Sequence, residues 1–197
     1  MEKKKEFMEK KTGRTGVNRV FVGVAIFLVA FGFFYFYKLN SGGTEERRWE
    51  GGNYNVGKSI DYSGTIVTQK AVDLDIAGGK VMIPLDDIIE SSFVYGEYRV
   101  DGVFLPLTAY IAPSGRVVGA VSYCEPCRSS SFHIRDNELV CDSCYTRWEI
   151  ETLKGIAGGC MAYPPEEINY QADNGMIILD ENDIRSWTPR DLQRAGK

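Results

Sequence analysis

The sequence is poor in histidine, and it has no cysteine outside one short stretch. Its only histidine is His133, and its five cysteines all lie within residues 124–160. One histidine is too few for a Rieske centre, which needs two. Covalent haem attachment is also excluded, because arginine and tyrosine, not histidine, follow the two Cys-x-x-Cys pairs. No hydrolytic triad, phosphate-binding loop or convincing carboxylate pair is evident, so the cysteines are the chemically distinctive residues.

The cysteines form two Cys-x-x-Cys pairs and one separate residue. Cys124 and Cys127 are the first pair, Cys141 and Cys144 are the second, and Cys160 follows two glycines. A tight turn directs both sulfurs of a pair to one point, so two pairs joined by a hairpin can bind one ion or cluster. This spacing is typical of rubredoxin-like and zinc-ribbon sites. The four paired cysteines are therefore the predicted metal ligands.

The amino-terminal part combines a basic tail with an uncharged apolar run. Residues 1–19 carry seven Lys or Arg and three Glu, and the eighteen residues 20–37 carry no charge. A helix of that length covers about 27 Å, enough to cross the lipid of a membrane once. The run ends in aromatic residues and Lys38 rather than in small residues, so we expect an uncleaved anchor. The positive-inside rule places residues 1–19 in the cytoplasm and everything after Lys38 outside.

The part outside the membrane is predicted to be a linker and one domain. Residues 38–57 are polar and glycine-rich, which is typical of a linker, and residues 58–197 form the extracytoplasmic domain. Residues 20–197 carry sixteen basic and twenty-four acidic side chains, a net charge of −8. That balance argues against a nucleic-acid partner.

The domain is predicted to be mainly β with a minor helical part. Asp101-Gly102, Asp136-Asn137 and Asn174-Gly175 predict tight turns, because these residues readily adopt positive φ. The strands that lead into Cys124 and Cys141 would present each Cys-x-x-Cys pair in a knuckle-like turn. We expect strands at 81–84, 93–100, 103–111, 116–123, 132–134, 138–140 and 176–179, a helical turn at 85–90 and a short helix within 182–194.

Several chemistries fit these sulfurs. Iron, an iron–sulfur cluster or zinc could occupy the four-cysteine site, whereas the oxidising exterior would favour disulfides. An odd number of cysteines and the doubled spacing argue against disulfides. A thioredoxin-like thiol–disulfide oxidoreductase is the other alternative. No helix-forming run follows Cys127, so a thiol pKa lowered by a helix terminus has no support there.

Two more residues could belong to the site. Gly155, Gly158 and Gly159 give the chain before Cys160 the freedom to bring its sulfur near the metal, as a fifth ligand or a neighbour. His133 lies between Phe132 and Ile134, and a histidine in that setting is more often packed in a strand than bound to a metal. Both residues are kept as possible additional ligands.

Longer stretches resemble one known family. Residues 115–127 (GRVVGAVSYCEPC), 138–144 (ELVCDSC) and 158–164 (GGCMAYP) resemble the FtrD-like membrane iron–sulfur proteins, and so do residues 80–85 (KVMIPL) and 98–104 (YRVDGVF). The resemblance extends over about residues 80–180. Its most specific part is the order of two cysteine pairs followed by Gly-Gly-Cys.

The resemblance implies a function in bacterial iron uptake. Members of this family are partners of a high-affinity iron permease and a periplasmic metal-binding protein. The chain would then be a membrane-held iron or iron–sulfur protein for electron transfer or iron handling, rather than a stand-alone enzyme. The alternative from another class is an interaction module of a membrane complex, stabilised by zinc or by disulfides.

The predicted topology can be tested with a reporter enzyme fused after Lys197. We expect a reporter that is active only outside the cytoplasm to be active in this fusion, because the basic residues 1–19 stay inside. A matched fusion after residue 19 should be inactive. Activity of a cytoplasm-specific reporter after Lys197 would contradict the predicted orientation.

Overall fold

The computed structural model describes residues 22–24, 27–29, 31–32 and 50–192, which belong to two separate compact units. In the first unit, residues 1–46, the described residues are helical. The predicted tail, residues 1–19, and much of the predicted anchor, residues 20–37, lie outside the described residues. Where the structure describes the chain, it contains no helix that is both long and apolar enough to cross a membrane. The single-pass anchor therefore stays a prediction.

Residues 50–192 are mainly β, as the sequence predicts. They form fourteen strands and two short helices. The strands are β1 (Ile66–Thr68), β2 (Lys70–Ala71), β3 (Asp75–Ala77), β4 (Lys80–Pro84), β5 (Phe93–Val100), β6 (Val103–Ile111), β7 (Val117–Val121), β8 (Phe132–Arg135), β9 (Glu138–Cys141), β10 (Arg147–Glu149), β11 (Gly155–Ala157), β12 (Glu166–Glu167), β13 (Tyr170–Asp173) and β14 (Met176–Asp180). The helices are α1 (Leu85–Ser91) and α2 (Glu181–Ser186).

The strands form three sheets. The cysteine sheet has the order β1-β8-β9-β10-β11, the central sheet β12-β7-β6-β5-β2, and the outer sheet β13-β14-β4-β3. All neighbouring strands pair antiparallel except β2 and β5. The hairpin of β5 and β6 is the longest ladder, with eight residue pairs from Phe93 opposite Tyr110 to Val100 opposite Val103.

The predicted two-residue turns are present. Asp101 and Gly102 have φ of 50° and 78°, Asp136 and Asn137 have 53° and 60°, and Asn174 and Gly175 have 48° and 76°. Positive φ at both positions matches the right-handed twist of the strands on either side. These turns therefore set the register of three hairpins, including β8–β9, which leads into the second cysteine pair.

The central sheet is buried on both faces. Leu107 and Val117 face a core shared with the outer sheet, α1 and α2, whereas Tyr110 and Val118 face a second core shared with the cysteine sheet. Successive residues of a strand point to opposite faces, so β6 and β7 contribute to both cores. This explains why β7 is buried along its full length and reads as an unbroken apolar run.

The second core contains the buried cysteines. Cys124, Cys141 and Cys160 pack there beside aromatic side chains that include Trp148 and Phe132, whose ring centroids lie 6.3 Å apart. Cys127 and Cys144 are partly buried at the edge of the same core. The cysteine cluster is thus continuous with the packing between two sheets.

The amino-terminal end of this unit contacts the domain before the predicted linker ends. Asn55 bridges Arg116 in a β-bridge, and the Val56 amide donates to the Gly115 carbonyl at 2.9 Å. Residues 50–57 are therefore hydrogen-bonded to the domain, although their polar, glycine-rich composition is typical of a linker.

The double-sided burial of the central sheet predicts a steep cost for shortening its side chains. Replacing Leu107, which is fully buried, with alanine should lower the free energy of unfolding by about 2–5 kcal/mol. The matched control is Phe104→Ala on the same strand, because Phe104 is 48% exposed and should cost about 1 kcal/mol or less. Denaturant unfolding measures both, and equal losses would contradict a core on this face of β6.

Candidate metal centre

The two Cys-x-x-Cys pairs adopt the same turn. In the first, the Cys124 amide donates to the Ser129 carbonyl at 2.9 Å, and the Arg128 amide donates to the Cys124 carbonyl at 2.7 Å. In the second, the Cys141 amide donates to the Thr146 carbonyl and the Tyr145 amide to the Cys141 carbonyl, both at 3.0 Å. The predicted knuckle-like turns are therefore present at both pairs.

One backbone feature recurs in both turns. The residue after the second cysteine has positive φ, 58° at Arg128 and 56° at Tyr145. This conformation reverses the chain, so that the amide of each first cysteine bonds a carbonyl five residues later. After Cys127 the chain passes through this turn into β8, so the thioredoxin-like arrangement of a cysteine pair at the start of a helix is not formed here.

Four sulfurs form a compact group. The Sγ atoms of Cys124, Cys127, Cys144 and Cys160 all lie within 4.8 Å of one another. Cys141, the remaining predicted ligand, is adjacent, with its Sγ 3.6 Å from that of Cys127. All five cysteines are free thiols, so the structure contains none of the disulfides considered as an alternative.

The cysteine thiols differ in pKa because their surroundings differ. The pKa of Cys141 is lowered to about 4, first because the Cys124 thiol donates a hydrogen bond to its sulfur, with help from the backbone amides of Cys144 and Ser143. That same hydrogen bond, together with burial, raises the pKa of Cys124 far above its usual range. Burial also raises the pKa of Cys127 to about 11.

Cys160 is held beside the other cysteines by Thr146, which lies in the second turn and is fully buried. The Thr146 hydroxyl oxygen accepts from the Cys160 amide at 3.1 Å and from the Cys144 thiol at 3.3 Å. Since its carbonyl also accepts from Cys141, this one residue contacts three cysteines. Sequence reasoning missed Thr146, because threonine beside a strand has no distinguishing pattern.

Gly158 explains how the Cys160 loop approaches so closely. A Cβ atom at this position would lie 2.5 Å from Thr146 Oγ1 and 2.6 Å from Thr146 Cα, and its φ is 116°. Only glycine satisfies both conditions. The close approach follows from the pairing of β10 and β11, where Arg147 lies opposite Ala157. Thr146 precedes Arg147 and Gly158 follows Ala157, so these two residues lie next to each other just beyond the paired strands.

Met161, the residue after Cys160, is also held in place by its neighbours. The indole N–H of Trp148 donates to the Met161 carbonyl at 3.0 Å, and a Cβ at Gly155 would lie 2.5 Å from the Met161 Cβ. Trp148 is fully buried, so it also excludes water from the inner side of the cysteines.

His133 points away from the sulfurs. Phe132 and Ile134 are buried in the core, whereas His133 is on the opposite face of β8. Its Nδ1 lies 2.5 Å from a carboxylate oxygen of Asp142, and the other oxygen of Asp142 accepts a short hydrogen bond from Ser131. Of the two possible additional ligands, the structure brings Cys160 into the compact group and leaves His133 outside it.

The sulfur separations fit a metal bound by thiolates. A tetrahedral ion with bonds of about 2.3 Å places its sulfur ligands about 3.8 Å apart, which is compatible with four sulfurs that all lie within 4.8 Å of one another. Thiolate is also the donor that zinc and iron centres use. The residues present therefore fit a thiolate-bound metal, with Cys160 in the compact group where the sequence predicted Cys141.

Comparison with known proteins points to one family. The family model described as "Membrane iron-sulfur containing protein FtrD-like" matches residues 88–190, just over half of the chain. These residues include all five cysteines. A search of the curated proteins finds no match.

Two solved structures match part of the chain at low similarity. The ferredoxin of carbazole 1,9a-dioxygenase from Nocardioides aromaticivorans IC177 is 18% identical, with a TM-score of 0.37 over 50% of this chain and 93% of that protein. A protein described as a nitrite reductase NADPH small subunit is 11% identical, with a TM-score of 0.36 over 51% of this chain and 96% of its own.

The contacts of Thr146 predict a specific cost for removing its hydroxyl. Thr146→Val keeps the side-chain shape but leaves the buried Cys160 amide without its acceptor, so the free energy of unfolding should fall by about 1–3 kcal/mol. Thr146→Ser keeps the hydroxyl and should cost only about 1 kcal/mol for the lost methyl group. Denaturant unfolding under reducing conditions compares the two. A valine variant as stable as the serine variant would show that the hydroxyl does not hold the loop.

Proposed function

Because the chain belongs to the FtrD-like family of membrane iron–sulfur containing proteins, we propose that its cysteine cluster holds iron and transfers electrons in a bacterial iron-uptake system. The observation that supports this most directly is the group of four sulfurs within 4.8 Å of one another. A thiolate-bound iron centre, when present, gains and loses single electrons. The protein would supply the ligands, the burial and the route to a partner.

The sulfur positions support one ligand set over another. Cys124, Cys127 and Cys144 belong both to the sequence-predicted set and to the compact group. We assign the fourth ligand to Cys160, because its Sγ lies within 4.8 Å of those three. Cys141 is the alternative fourth ligand, since it lies 3.6 Å from Cys127 and has the lowered pKa.

The surrounding residues suit electron transfer. The Thr146 hydroxyl contacts the sulfur of Cys144, an assigned ligand, at 3.3 Å, and hydrogen-bonding groups beside the sulfurs of a metal centre tune its reduction potential. Trp148 is fully buried on the inner side, whereas Cys127 and Cys144 are partly exposed. An electron would therefore enter and leave through the side of the site that carries these two cysteines.

The proposed setting is the outer face of the cell membrane. The basic residues 1–19 would remain in the cytoplasm, the span at 20–37 would contact lipid, and the cysteine domain would lie outside. The partners implied by the family resemblance are an iron permease and a periplasmic metal-binding protein. The acidic balance of residues 20–197 is compatible with cationic partners.

A structural zinc site is the second candidate function. The same four sulfurs lie at separations that suit a tetrahedral zinc ion, which would stabilise the fold without redox chemistry. The domain would then be an interaction module of a membrane complex.

The deciding experiment is an anaerobic purification of the full chain. Iron, zinc and acid-labile sulfide are measured on the same sample, and the visible spectrum is recorded before and after chemical reduction. We expect iron and thiolate-to-iron absorption bands that bleach on reduction. Sulfide present with the iron identifies a cluster, and iron without sulfide identifies a single ion. Zinc, or oxidised thiols without metal, would overturn the proposal.

Two serine variants test the fourth ligand in the same measurement. We expect Cys160→Ser to lose most of the iron and Cys141→Ser to retain it. The two substitutions are matched, because each exchanges one buried sulfur of the same cluster for a hydroxyl. The opposite result would assign the fourth ligand to Cys141 and refute the assignment to Cys160.

A further inference from the structure

The chain after α2 contacts the residue before the first cysteine pair and the strand after the Cys160 loop. This C-terminal segment, residues 187–191, begins with Trp187, whose ring packs edge-on against Tyr123 with centroids 5.8 Å apart. The Trp187 indole also donates to a carboxylate oxygen of Glu166 at 2.9 Å. Tyr123 immediately precedes the first cysteine pair, and Glu166 begins β12 after the Cys160 loop. The segment therefore contacts the chain on both sides of the site.

Arg190 joins the two loops directly. Its Nε and one terminal nitrogen donate to the two carboxylate oxygens of Glu125 at 2.6 and 2.9 Å. The same terminal nitrogen donates to the Pro164 carbonyl at 2.5 Å. Glu125 lies between Cys124 and Cys127, and Pro164 lies four residues after Cys160. One guanidinium thus connects the first cysteine turn to the end of the Cys160 loop.

Burial makes this link strong. The Glu125 side chain is 2% exposed and that of Arg190 is 14% exposed. Bidentate contacts between arginine and a carboxylate fix both distance and orientation. If one member of a buried ion pair is removed, the other is left as an uncompensated charge, which is strongly destabilising. The ion pair therefore holds the C-terminal segment, which carries Arg190, against the first cysteine turn, which contains Glu125.

The Cys160 loop needs such a constraint. Gly158 and Gly159 precede the cysteine, and the space around Gly159 is open, so the chain can rotate there at little cost. Thr146 and Trp148 hold the loop from the side of β10. From the other side, Tyr163 donates its hydroxyl to the Asp191 carbonyl at 3.2 Å.

We propose that the C-terminal segment is a positioning element for the metal centre, and that Arg190 holds the Cys160 sulfur within the cysteine group by linking Glu125 to Pro164. Arg190 acts through Cys160 and does not touch the metal itself. This deepens the proposed function, and it rests on that function only in treating the cysteine group as the metal site. The position of Cys160 can be measured whichever metal the site contains.

The test measures how fast each cysteine is alkylated. Full-length protein, purified anaerobically with its metal, is exposed to short pulses of iodoacetamide, and peptide mass spectrometry gives a rate for each of the five cysteines. The variant is Arg190→Met, which keeps much of the side-chain length and removes the hydrogen bonds to Glu125 and Pro164. Arg190→Lys is the rescue variant, because it restores the charge but not the bidentate geometry. The metal content and visible spectrum are recorded on the same samples.

Arg185→Met is the matched control. Arg185 also has several partners near the C-terminus, donating to Tyr98, Glu181 and Asp101. These partners lie on β5, on α2 and in the β5–β6 turn, away from the cysteine loops. The control therefore removes a comparable set of contacts without touching either end of the site.

We expect alkylation of Cys160 in Arg190→Met to accelerate by at least about tenfold relative to the other cysteines, since the loop loses one of its anchors. Arg190→Lys should be intermediate, and Arg185→Met should match the unmodified protein. In the loaded Arg190→Met protein, the thiolate-to-metal bands should change shape or weaken. Loss of the bands with no selective acceleration at Cys160 would overturn the positioning role, although metal binding by the unmodified protein would stand.

Two results would overturn the proposal. One is an unchanged Cys160 rate in Arg190→Met, and the other is equal acceleration at all five cysteines, which indicates global loosening. If Arg190→Met does not fold, Tyr163→Phe gives the same test, because it removes the hydrogen bond to Asp191 and keeps the ring that faces Arg190 at 5.7 Å. It should produce a smaller acceleration that is still confined to Cys160, and no such acceleration would likewise overturn the proposal.

Discussion

The contact between Thr146 and Gly158 is the constraint on which the cysteine site depends. A side chain at Gly158 would overlap both the hydroxyl oxygen and the Cα of Thr146, so the two strands that end here can meet only at a glycine. Through this contact a single threonine binds the Cys160 amide and the Cys144 thiol while its carbonyl receives the Cys141 amide. Three cysteines from two distant chain segments are therefore located by one buried residue. Displacement of either strand would separate Cys160 from the other sulfurs.

The central sheet provides the rigid base for this arrangement. Because β6 and β7 are buried on both faces, movement of either strand would disturb two hydrophobic cores at once. Interiors packed to this extent resist deformation. Cys124 follows β7 after only two residues and is itself part of the second core. The packing that holds the sheet therefore also holds the Cys124 sulfur in place. The second cysteine turn is placed against the first by Phe132 and Trp148, which pack in the same core. The site is thus positioned mainly by sheet packing, and its loops complete it.

The features that sequence reasoning predicted well are those set by neighbouring residues. The strands at 93–100 and 103–111 were predicted with the bounds that the structure has, because Asp101-Gly102 fixes both ends of the hairpin. The two cysteine turns follow from their own spacing. The place of Cys160 in the compact group could only be suggested, since it depends on the pairing of β10 with β11. Thr146 and Arg190 were missed for the same reason, because a threonine or arginine acquires its role only through partners far away in sequence. For Arg190 a signal existed: Glu125 is an acidic residue inside a cysteine turn, and when buried it requires a cation.

The distribution of charge explains why the cluster is suited to a metal rather than to simple packing. The pKa of Cys124 is raised first by its hydrogen bond to Cys141 and then by burial, and burial is the main reason that the pKa values of Cys127 and Cys160 are raised. Arg190 forms its ion pair with Glu125 and so neutralises the carboxylate that stands between the first two cysteines. A bound metal ion would supply the positive charge that ionises the sulfurs, since a metal ion deprotonates the thiols that coordinate it. Metal binding and thiol ionisation would then be one coupled event, and the buried ion pair would limit the negative charge that the cation has to balance.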